Sequence, residues 1–152
     1  AGTDAMANFA SLRGPVGINR VFVHSGPKLD YRSWLDALRA GRTFATNGPL
    51  LTFTLGGREI GDEIRLPAGG GNLETRVSLR SIVPVEKLEI VSGGRAVASV
   101  PLSAGGTLAD ATLSIPVRES GWFLRRLSSS ISLPGSPWPR RLWQIILRTK
   151  KD

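Results

Sequence analysis

The chain contains no cysteine and a single histidine, and these two absences exclude more chemistry than any one motif adds. Without cysteine there is no disulfide framework and no thiolate metal site, while the compartment stays open, because cytosolic and exported proteins alike can lack cysteine. A hydrolytic metal centre needs several ligands plus an open position for an activated water, and one imidazole, His24, does not supply them. Also missing is an apolar run of the roughly 20 residues that span a bilayer. The opening Ala1-Gly2-Thr3-Asp4 has neither the basic region nor the apolar stretch of a signal peptide, so neither a signal peptide nor a membrane span is expected. No G-x-S-x-G elbow supports a serine hydrolase, and the glycine pairs stand between short apolar stretches rather than ahead of helices, so they form no phosphate loop.

What is present is enough to fold. At 152 residues and 41% hydrophobic content the chain can bury a core, and one domain is the expectation. The formal net charge of +8 is uneven: from Gly121 onward seven Arg and Lys residues face only Asp152. Such a basic end can attract an anionic membrane surface; nucleic acid is not the expected partner. The same stretch carries Trp138, Leu142, Trp143, Ile145, Ile146 and Leu147, too apolar for water and too short for a bilayer, and as a helix it would dock Trp138, Leu142 and Ile145 or Ile146 on one face.

The organising stretch is Gly41-Arg42-Thr43-Phe44-Ala45-Thr46-Asn47-Gly48-Pro49, with a helix before it and only strands after it. Tyr31, Trp34, Leu35 and Leu38 recur at the spacing of one helical stripe, which predicts that Trp34 packs against a buried strand Val21 to Val23. Asp30 is placed to cap this helix and Gly41 to close it. Strand, helix and strand make a β-α-β-like unit. From Leu50 the apolar period becomes two, through Leu51, Phe53 and Leu55, a Gly56-Gly57 hairpin, and further alternating runs at 73–82, 85–91, 95–102 and 108–117. Short strands at this spacing predict a mainly β fold, an antiparallel β-sandwich.

The spelling of the organising stretch resembles the C-terminal portion of the CehA/McbA-type metallohydrolases, a branch of the PHP phosphoesterase superfamily. Gly2-Thr3-Asp4-Ala5 resembles the last metal motif of that family and Arg13-Gly14-Pro15-Val16-Gly17 the loop after it. The likeness extends through Gly61-Asp62-Glu63-Ile64 and Ser120-Gly121-Trp122, over about residues 1–126. The resemblance implies a remnant of an α/β (PHP) barrel at 1–49, a β-sandwich at 50–127 and an atypical basic and apolar tail at 128–152. It implies a parent enzyme that splits phosphoester, carbamate or amide bonds with a divalent metal (Zn, Mn or Fe). In this chain no cofactor is expected and activity alone is not expected.

Within that resemblance Asp4 is the candidate metal ligand, yet Asp4-Ala5-Met6 stands where the superfamily has Asp-x-His. His24, at the end of a strand where barrel active-site loops begin, is the second candidate. Each has a plain alternative, a turn carboxylate and a solvent-facing turn histidine. Thr46 and Asn47 are candidate pocket-lining residues, or turn formers only. Arg42 is placed to answer the helix dipole, and Asp62-Glu63 reads as a solvated turn more readily than as a calcium site. The alternative function is a non-catalytic β-sandwich that binds or assembles. Exposed strand edges predict self-association, as a dimer.

Overall fold

The computed structural model describes residues 16–17, 19–129 and 140–151, with Ser129 and 140–151 as backbone alone. Asp4, the rest of residues 1–15 and the segment 130–139 with Trp138 lie outside the described residues. The chain is mainly β, with three sheets and one α-helix among the described residues.

The first unit comprises β1 (Arg20–Val23), α1 (Tyr31–Arg39) and β2 (Thr43–Thr46). The element order is the expected one, but the pairing is not that of a parallel crossover: β1 and β2 run antiparallel, from Arg20 opposite Thr46 to Val23 opposite Thr43. The His24 N–H donates to the Arg42 carbonyl at 2.9 Å and extends that ladder by one step. The helix is therefore carried in the connection between two antiparallel strands. Asp30 caps α1 by accepting from the Ser33 N–H, and Gly41 closes it at φ 72°.

Burial in this unit corrects the sequence reading. The stripe of α1 is only partly covered, with Tyr31 78% and Trp34 36% exposed and Leu35 half-buried, and the fully buried helical residue is Ala37. Phe22 is also exposed and stacks on Phe44 with ring centroids 5.0 Å apart, so β1 is not a buried strand. Periodicity tells which side chains share a stripe, not what covers it.

The remaining strands form two sheets. One has three strands in the order β3 (Leu50–Leu55), β5 (Gly71–Arg80), β8 (Leu108–Val117), all antiparallel. The other has five, in the order β4 (Glu63–Leu66), β10 (Arg140–Lys151), β9 (Gly121–Ser129), β6 (Lys87–Ser92), β7 (Arg95–Val100). Here β4 and β10 run parallel, an exception to the expected antiparallel pattern. The tail also departs from its helical reading: Arg140–Lys151 is a strand between β9 and β4. Its apolar residues are β-branched or aromatic in large part, which suits a strand flanked on both sides.

Both sheets feed one hydrophobic core. Leu55, Leu79 and Ile115 from the smaller sheet and Leu88, Ile90 and Phe123 from the larger belong to a single buried cluster. Alternation supplies it: on β5, Thr75, Val77 and Leu79 are buried while Glu74, Arg76 and Arg80 face water.

Candidate functional site

Two clefts meet at the junction of the first unit with β3. One, of about 380 Å³, runs between β1–β2 and β3, lined by Phe22, Phe44, Leu51, Phe53 and Ile60 with His24, Arg42 and Glu59 at its polar end. The other, about 530 Å³, is more polar and includes Ser25, Ser33, Asp36 and Asp62. His24, Arg42 and Glu59 line both.

The chain brings His24 and Glu59 together from 35 residues apart. His24 leaves the end of β1 with its backbone fixed by Arg42. Glu59 leaves a tight hairpin in which Leu55 and Arg58 exchange N–H to C=O bonds of 3.0 Å. Gly56 and Gly57, at φ 56° and 73°, take the left-handed turn that such a two-residue connection requires. The next loop is held against the helix end at Gly61, whose φ is 92° and whose missing Cβ would lie 2.5 Å from the Ala40 carbonyl oxygen. The Asp62 carboxylate accepts from the Glu59 N–H at 3.2 Å. The result sets His24 Nδ1 2.7 Å from Glu59 Oε2, where the ring nitrogen donates to the carboxylate. Both side chains are more than half exposed, so the pair is worth no more than about 1 kcal/mol to the fold.

Glu59 engages the Nδ1 side of the imidazole, and no group of three His, Cys, Asp or Glu side chains gathers among the described residues. Thr46 is buried and its hydroxyl serves its own turn, donating to the Pro49 carbonyl at 2.7 Å and accepting from the Gly48 N–H at 3.0 Å. Neither Thr46 nor Asn47 is among the residues lining the two clefts. Glu63 begins β4 and lies 3.7 Å from Arg65, apart from Asp62.

Sequence reasoning passed over Glu59 and the Phe22–Phe44 stack. An acidic residue between two glycine turns looks solvated, and nothing local signals a partner 35 positions away. It also passed over Arg125, which is 1% exposed in the core with its guanidinium 5.6 Å from the centroid of Phe53, on the ring that lines the apolar cleft. Burial pushes the Arg125 guanidinium down to about 9. No family model matches the chain, and neither a curated protein nor a solved structure is found to be significantly similar to it.

Proposed function

We propose that the chain is the C-terminal portion of a PHP-like metal-dependent hydrolase, one that splits phosphoester, carbamate or amide bonds, and that it is inactive by itself. In this reading the β1–α1–β2 unit, although its two strands pair antiparallel, is what remains of the end of an α/β barrel, and the two sheets form a β-sandwich appended to it. The observation that carries the reading is the incompletely covered apolar stripe of α1, where Tyr31, Trp34 and Leu38 are exposed and Leu35 is half-buried, together with a partly exposed Phe22 on β1. An amphipathic helix buries such a stripe against further protein, which the body of a barrel would supply. The family-like spelling from Gly41 to Pro49 gives the reading its chemical identity.

The test is a hydrolase panel on the purified chain with p-nitrophenyl phosphate, an aryl carbamate and an anilide, in zinc, manganese and ferrous buffers. No turnover is expected. Turnover that disappears in His24→Ala would contradict the reading, because it would place a complete centre within this chain. A second reading, a non-catalytic binding or assembly module, is favoured by the cleft between β1–β2 and β3.

A further inference from the structure

β3 is the edge of its sheet, paired with β5 on one side only. The direction of its peptide groups can be read from its end. The Gly56 N–H donates to the Glu74 carbonyl, toward β5, whereas Leu55 turns its N–H and C=O the other way, to Arg58. Backbone groups alternate along a strand, so Leu51 and Phe53 present theirs on the same outer side as Leu55. Arg58 occupies Leu55. Among the described residues nothing bonds to the outward groups of Leu51 and Phe53.

Those two residues line the cleft of about 380 Å³, and the stacked rings of Phe22 and Phe44 stand among its other walls. The cleft therefore offers two donors and two acceptors in ladder register beside apolar surface. A purely apolar molecule would cover these peptide groups without pairing them, which carries the cost of unmet hydrogen bonds. A peptide in extended conformation meets both demands: its backbone completes the ladder and its alternate side chains reach the apolar walls. The volume lies within the range of sites that enclose a small ligand, about 300–1,000 Å³. The Leu55–Arg58 hairpin limits the open ladder to the span of Leu51 to Phe53, about three residues or 10 Å of added strand.

We propose that this cleft accepts a short, extended, apolar peptide segment of another protein as an added strand on β3. The proposal does not rest on the hydrolase reading, since Leu51, Phe53, Phe22 and Phe44, which would meet the peptide, are not residues which that reading makes metal ligands.

The experiment is a titration of the full, isotopically labelled chain with acetyl-Val-Thr-Val-amide, followed by amide chemical shifts and hydrogen exchange. Shifts and slowed exchange are expected at Leu51 and Phe53. A peptide N-methylated at the amides that face β3 should bind about tenfold or more weakly, since it loses two hydrogen bonds. Phe22→Ala, at an exposed position outside the main core, should weaken binding while leaving the melting temperature nearly unchanged. Absence of shifts at millimolar peptide would overturn the proposal. So would equal binding of the N-methylated peptide, or displacement of the peptide by benzoate at equal concentration, either of which would make the cleft a plain apolar pocket. A dimeric chain whose Leu51 and Phe53 amides are already protected without peptide would overturn it in favour of a second copy.

Discussion

Gly61 joins the two halves of the site, because a side chain there would meet the Ala40 carbonyl and its φ of 92° strains any other residue. Gly61→Ala is expected to destabilise the chain by about 1–3 kcal/mol and to separate the loop of Glu59 from the helix end. Thermal melts and the amide shift of His24 check this; an unchanged melting temperature would mean that the loop is not docked there. Thr75 is the opposite case. It is fully buried and its hydroxyl has no hydrogen-bond partner among the described residues, so Thr75→Val should stabilise by about 1–3 kcal/mol, measured by denaturant midpoint. Arg125 gives the pH dependence. Its folded value of about 9 lies below its unfolded one, so the unfolded chain binds more protons above pH 9 and this group makes stability rise with pH in that range. Arg125→Met should remove that rise, read as the difference in melting temperature between pH 8.5 and 10.5 in the two proteins. Gly61 and Thr75 were legible only as a turn and a face. What makes each consequential is a neighbour distant in sequence, and no local pattern encodes it.

At the scale of the element, α1 shows what local chemistry can and cannot decide. Its ends follow from Asp30 and Gly41, whose roles depend on residues within a turn of them. The Ser33 hydroxyl, and after it the Ser33 N–H, holds the Asp30 carboxyl below the usual aspartate range. A lowered value stabilises the helix above the ordinary aspartate pKa of about 3.9 and loses that contribution as pH falls through the folded value. Asp30→Asn should keep the cap at neutral pH and abolish the acid-induced loss, followed by far-ultraviolet circular dichroism from pH 6 to 2.5. The exposure of the helix stripe was not legible, since its covering is tertiary. The strands from β3 to β8 were legible to within a few residues, with Leu108–Val117 read at its observed bounds, because alternation is local. β10 was missed. Prolines and serines ahead of it suggested irregular chain, and its place between β9 and β4 depends on partners 11 and more than 80 residues earlier.

For the whole molecule, the core spans both sheets, so the chain should unfold as one unit. Phe53, 3% exposed and at the centre of that core, is expected to cost about 3–5 kcal/mol on truncation to Ala, a large part of the roughly 5–15 kcal/mol of a small domain. Trp34→Ala should cost clearly less, since its side chain stands at the open stripe; equal losses in paired denaturant titrations would show that the stripe is covered. The central proposal is that this chain holds no complete metal centre of its own, in keeping with the lack of any group of three His, Cys, Asp or Glu side chains among the described residues. The most direct measurement is metal content by plasma mass spectrometry after incubation with zinc, manganese or iron(II) and exhaustive dialysis. The account predicts well below one equivalent of each, unchanged in His24→Ala; one equivalent retained by the native chain and lost in that variant would contradict it.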